Sequence, residues 1–173
     1  MSRELVIGID PGRSGGLAFV SGHEPNASPS SWDVQLVAMP EDDEDLLQLF
    51  STWGKPYSRV RVHIENIPKW TGSAQFAKRT IYGASIATLY GQFKFSHGLV
   101  LGLGFEAQLI VPVKWQNVVG CRNTEKLEKN AWKNKLKAHA QHLMPHVKPT
   151  LATADAALIA IAGISMDRSA RRY

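Results

Sequence analysis

Three carboxylates stand where an apolar segment ends or is interrupted. Asp10 closes the run 5–9, Glu65 closes an alternating segment that starts at Arg59, and Asp155 is the only charge within 151–164. A carboxylate at the edge of a core needs a cation, a metal or water. Each acid has an ordinary alternative: Glu65 could pair with Arg61, and Asp155 with a Lys or Arg. Taken together they fit a hard-cation site, with oxygen donors, open coordination and room for a phosphate. In two-metal chemistry one ion activates water and the other stabilises the leaving oxygen of an in-line displacement. The protein then need supply only fixed carboxylates.

The segments around the acids are what must hold them. Asp10 is followed by a turn, Pro11-Gly12-Arg13-Ser14-Gly15-Gly16, and Gly8 shares its face of the strand because alternate side chains point the same way. Residues 15–21 continue as the second arm of a hairpin, and residues 32–39 read as a third strand. Pro40 and the acid block 41–45 open a helix, with the acids in the turn that the helix dipole favours. In 59–65, Val60, Val62 and Ile64 share one face and Arg61, His63 and Glu65 the other. A long helix over 73–96 is rich in small residues. After a glycine-rich stretch, 106–113 reads as a fifth strand and 114–119 as a short helix. Residues 124–143 read as a basic helix capped by Thr124, and 151–164 as an apolar helix. On that last helix Asp155 shares a face with Leu151, Leu158 and Ala162. The order β-β-β-α-β-α-β-α-α describes an α/β domain, one mixed sheet with helices on its faces.

The 173 residues suit one domain with a real core, expected over 1–166 with a basic tail at 167–173. No apolar run reaches the length of a membrane span. The first residues pass straight into a strand, which leaves no room for a signal peptide and implies a protein of the cytoplasm, or of an organelle or a phage host's cytoplasm. Cys121 is the only cysteine, which excludes internal disulfides and thiolate metal clusters. Five of the fifteen acids lie in 41–45, which leaves ten against twenty Lys and Arg elsewhere. That balance favours a polyanionic partner. Between Arg122 and Lys148 seven basic residues face two Glu, and Lys126, Lys129, Lys133 and Lys137 recur at helical spacing. A basic stripe of this kind tracks a phosphate backbone.

At this point the residues resemble a family. Gly8-Ile9-Asp10-Pro11-Gly12 with Gly15-Gly16, then Ile64-Glu65, then Ala154-Asp155-Ala156 are similar to the RuvC-type Holliday junction resolvases. Val113-Lys114, Val118-Val119-Gly120 and Lys126 repeat the lysine spacing of that family, and Tyr82-Gly83 is similar to its phage and chloroplast members. The resemblance covers roughly residues 3 to 165. It implies an RNase H-like mixed five-stranded sheet flanked by helices. The implied activity is a homodimeric endodeoxyribonuclease that nicks a four-way DNA junction symmetrically with Mg²⁺ or Mn²⁺, two ions per active site, and no nucleotide cofactor. Carried over by position, Asp10, Glu65 and Asp155 would be metal ligands, and Lys114 and Lys126 would contact phosphate near the scissile bond, Lys126 as a catalytic residue. Trp70, beside Lys69 in a polar loop, matches an aromatic that stacks at the junction. Lys78 and Arg79 would add phosphate contacts. One departure stands out: the family's fourth ligand, an Asp or His three residues before the last Asp, is Ala152 here. A water, Thr153 or His146 would have to replace it.

Three other readings compete. An actin-like ATPase or sugar kinase also places Asp-x-Gly after a first strand, but it needs two such domains. Another RNase H-fold nuclease would act on hybrids, flaps or RNA precursors. A non-catalytic junction-binding module would explain the missing ligand.

Overall fold

A computed structural model describes residues 4–24, 26–67 and 80–170. The chain forms β1 (Glu4–Asp10), β2 (Gly16–Ser21), β3 (Asp33–Ala38), α1 (Asp43–Gly54), β4 (Arg59–Glu65), α2 (Thr80–Gly102), β5 (Glu106–Ile110), α3 (Pro112–Val118), α4 (Lys129–Leu143) and α5 (Ala154–Ala170). The five strands make one mixed sheet in the order β3-β2-β1-β4-β5. β1, β2 and β3 form an antiparallel meander, while β1 with β4 and β4 with β5 are parallel. This is the α/β architecture implied by the sequence. Among the described residues no helix is long and apolar enough to cross a membrane.

The period-two alternation of the central strands divides the core into two layers. Leu5, Ile7 and Ile9 of β1, with Val60, Val62 and Ile64 of β4, pack under Leu46 and Phe50 of α1 and Phe93 and Val100 of α2. Val6, Ala18 and Val20 face the opposite layer, made of α3, α4 and α5. That second layer is organised around α5, whose residues from Ala154 to Ile164 are all buried. Gly8 makes the packing possible: a Cβ there would overlap the Ala156 carbonyl and lie 2.6 Å from the Ala160 nitrogen. Gly163 does the same further along, lying against the His63 ring. Small residues on both elements therefore bring the helix backbone down onto the strand.

Several element boundaries differ from the sequence expectation, each for a local reason. The basic helix starts at Lys129 rather than Thr124, because Lys126 takes a left-handed φ of 53°. The Asn123 side chain closes that turn, accepting from the Leu127 N–H at 2.7 Å and donating to the Leu127 carbonyl at 3.0 Å. The last helix starts at Ala154 rather than residue 151. Thr150 and Thr153 bond reciprocally ahead of it, each backbone N–H donating to the other's hydroxyl at 2.9 and 3.2 Å. Leu151 is thus exposed and does not share the Asp155 face, whereas Leu158 and Ala162 do and are buried.

The strand expected over 106–113 ends at Ile110, since Val111 is extended and Pro112 occupies the first helical turn of α3. α2 continues past Ser96 to Gly102, because Phe93 and Val100 are buried while Gly98 and Gly102 face open space. α5 likewise runs through the boundary expected at 166/167. Asp167 pairs with Arg61 and with His63 Nε2 at 3.1 Å. Arg168, assigned from sequence to the tail, donates to the carbonyls of His23 and Glu24 and lies over the Trp32 ring at 5.5 Å.

Candidate active site

The three acids meet at one end of the sheet. The parallel register pairs Ile9 of β1 with Ile64 of β4, so the next residues, Asp10 and Glu65, end adjacent strands side by side. Both share the sheet face that carries α5, since Gly8 and His63 precede them by two. Asp155 comes from the first turn of α5, one residue before Ala156, whose carbonyl rests on Gly8. The turn that clears the approach to Asp10 is equally tight. The Gly15 N–H donates to the Gly12 carbonyl at 2.7 Å, and a Cβ on Gly15 would overlap the Asp10 carbonyl.

Two further side chains complete the cluster. The Trp115 indole, buried in the α3 layer, donates from Nε1 to Glu65 Oε2 at 3.1 Å. Lys133 reaches in from α4, with Nζ 2.5 Å from Asp155 Oδ2 and 3.6 Å from Asp10 Oδ2. Asp155 Oδ1 is buried without a hydrogen-bond partner. Of the two pairings considered from sequence, Asp155 has found a lysine. Glu65 has not found Arg61, whose Nε lies 2.6 Å from Glu4 and which also pairs with Asp167.

The electrostatics are those of acids crowded together out of water. Burial first, then the Asp10 and Asp155 charges, push the Glu65 carboxyl up from 4.5 to about 7, against the opposing Trp115 N–H and Lys133 ammonium. Asp10 is raised too, by burial and by Asp155, with Lys133 and the Gly12 backbone pulling the other way. Burial on its own would lower Lys133, but Asp155, Asp10 and Glu65 outweigh it and hold the ammonium above its ordinary range. Each acid therefore feels the charge of the other two, and Lys133 is the cation that offsets them.

By donor type the residues fit a divalent hard cation: carboxylate oxygens only, one of them buried and unpartnered. Among the described residues no group of three or more His, Cys, Asp or Glu side chains is placed so that it could hold a metal ion. Neither of the side chains considered for the fourth position fills it. Thr153 is buried, and its hydroxyl is engaged by Thr150. His146 is exposed on the turn after α4.

The other sequence candidates are distributed differently from the expectation. Lys114, Lys126, Lys129 and Lys137 are exposed; Lys126 sits on the turn before α4, so it does not continue the helical face of Lys129, Lys133 and Lys137. The lysine that touches the acids is Lys133, not Lys126. Lys69, Trp70, Lys78 and Arg79 lie outside the described residues. Trp115 is a site residue that the sequence does not single out. It does pack in the core, but no sequence signal marks its bond to a strand end 50 residues earlier.

No family model matches the chain, and no curated protein matches it either. Solved structures do. RuvC of Thermus thermophilus in complex with a Holliday junction substrate superposes with a TM-score of 0.52 at 14% identity, covering 96% of each chain. A second Thermus thermophilus RuvC structure gives 0.51 at 14% identity, covering 97% of this chain and 96% of that one. The five-stranded mixed sheet and its flanking helices are therefore the RNase H-like fold of RuvC.

Proposed function

We propose that the chain is an endodeoxyribonuclease that resolves four-way DNA junctions by paired symmetric nicks, acting as a homodimer with Mg²⁺ or Mn²⁺. The observation that carries this reading is the convergence of Asp10, Glu65 and Asp155 at one end of the sheet. It is supported by the end-to-end likeness to a RuvC structure determined with junction DNA. Asp10, Glu65 and Asp155 would hold the cation, which when bound supplies Lewis acidity to the phosphate and acidifies a water. The Trp115 N–H orients Glu65. Lys133 stands beside Asp10 and Asp155, where it can meet a phosphate oxygen. Exposed Lys114, Lys126 and Lys129 are the phosphate contacts of the flanking duplex, together with Lys69, Lys78 and Arg79, and Trp70 stacks on an unpaired base.

The deciding experiment presents a synthetic four-way junction, an RNA–DNA hybrid and a flap side by side, with nick positions mapped. Paired nicks at symmetric positions of the junction, lost in Asp10→Asn while junction binding persists, are the expected outcome. Preferred cleavage of the hybrid or the flap would assign the chain to a different nuclease activity on this fold. Equal activity of wild type and Asp10→Asn would leave a junction-binding module.

A further inference from the structure

A second group of cations gathers on the side of α4 turned away from the acids. Lys135 and His139 are four residues apart and share a helix face, whereas Lys133, two residues from Lys135, points to Asp155. With Asn117 at the end of α3, and Arg122 and Thr124 of the loop between the two helices, they line an open cavity of about 580 Å³. The loop is built to keep that space. Gly120 leaves α3 with a φ of 71°, and the Cys121 N–H returns to the Gln116 carbonyl at 2.9 Å. The Asn123 clasp on Leu127 closes the other end. His139 Nε2 donates to the Val119 carbonyl at 2.7 Å, which ties the loop to α4 and fixes the tautomer.

The lining is rich in donors and holds no carboxylate. Among the described residues the Arg122 guanidinium has no hydrogen-bond or ion-pair partner. Lys135 Nζ meets Glu125 Oε1 at 2.5 Å, and an ammonium has two further N–H donors to give. Burial pushes the Cys121 thiol up against the pull of Lys135, so the wall adds no thiolate.

We propose that this cavity is a phosphate site separate from the acid cluster, in which Arg122 and Lys135 take one phosphodiester of a nucleic-acid backbone. A guanidinium offers paired donors to two phosphate oxygens, and the ammonium adds a point charge beside them. Lys126 on the same loop is exposed, so positive charge continues along it. The choice of a nucleic-acid phosphate rests on the DNA reading above, whereas the cavity itself involves neither the acids nor a metal.

The test follows amide chemical shifts of ¹⁵N-labelled protein in the presence of a chelator, which withholds metal. Inorganic phosphate, or a short DNA duplex with 5′-hydroxyl ends, is titrated into wild type and into Arg122→Gln, Lys135→Gln and Lys135→Arg. Lys55→Gln, an exposed position after α1, is the charge control. The duplex should shift the Gly120, Arg122 and Thr124 amides saturably. Its affinity should fall about tenfold or more in both glutamine variants of the cavity and hold in Lys135→Arg and Lys55→Gln. The salt slope of duplex binding should drop by about one in the same two glutamine variants. Cavity amides that stay still with the duplex would overturn the proposal. So would shifts with inorganic phosphate alone, which mark an adventitious ion only, or an equal loss in Lys55→Gln. The outcome separates from the nuclease reading. A duplex held at the cavity by a protein that cuts nothing keeps the site and sinks the activity, whereas junction cleavage with an unresponsive cavity sinks the site alone.

Discussion

Gly8 of β1 lies directly under Ala156 of α5, with no space for even one methyl group between strand and helix. This contact sets the height of α5 above the sheet, and so the position of Asp155 next to Asp10. Gly8→Ala should therefore act on both stability and chemistry. Overpacking of this kind costs about 1–3 kcal/mol, and here the obstruction is backbone that cannot rotate away. Urea denaturation should show a loss at or above the top of that range. Nuclease activity in the surviving folded fraction should fall as well, since a carboxylate displaced by an ångström no longer shares a cation with its neighbours.

The raised Glu65 carboxyl makes stability depend on pH in an unusual sense. Its pKa is 4.5 when unfolded and about 7 when folded, so between these values the folded state holds a proton that the unfolded state has released. Stability from this group must fall as pH rises through that window, by on the order of 3 kcal/mol if the whole shift is expressed. Metal-free protein should melt lower at about pH 8 than at about pH 5.5. Glu65→Gln should flatten the profile, and Mg²⁺ should raise the melting temperature more at the higher pH. A Glu65→Gln profile as steep as wild type would locate the effect in another group.

The Trp115 indole donates to Glu65 from inside the core. Trp115→Phe keeps most of the packing and removes the donor. A hydrogen bond to a charged acceptor is worth about 1.5–3 kcal/mol, and loss of a partner that orients a metal ligand typically weakens metal affinity about 10–100-fold. Calorimetric Mn²⁺ titration should show that drop. Trp115→His, which restores an N–H of shorter reach, should recover part of it.

Lys126 combines an exposed side chain with a left-handed backbone. Lys126→Gly should leave stability unchanged or raise it slightly, since glycine enters this region without the steric penalty that Lys or Ala carries there. The same variant should weaken junction binding and reduce the salt slope by about one. Lys129→Ala should lower the slope similarly. A slope unchanged in both variants would place the phosphate track elsewhere on the surface.

Much of this molecule could be read along the chain. Strand alternation, the acid-headed α1, the small residues near Asp155 and the carboxylates at the ends of Asp10 and Glu65 strands are local signals. Each carries its physical cause within a few residues, and each reappears in the sheet and its two apolar layers. The boundaries that moved did so where a local exception outweighed the pattern. Positive φ at Lys126 delayed α4, Pro112 turned a strand end into a helix, and the Thr150–Thr153 pair set the start of α5. Burial of Val100 carried α2 across glycines that read as a loop.

What the sequence determined by itself was the cast: three isolated acids on apolar elements, a glycine on the same strand face as the first of them, and an excess of lysines in the segment before the third. Only the tertiary structure decided which lysine those acids keep. Lys133 and Lys129 are indistinguishable as members of a basic helical face, being one turn apart and identical in type. They separate because α4 packs against α5, which points the one into a pocket of three carboxylates and leaves the other in water. Helical spacing is a property of the chain, whereas the field a side chain meets is made by residues far from it in sequence.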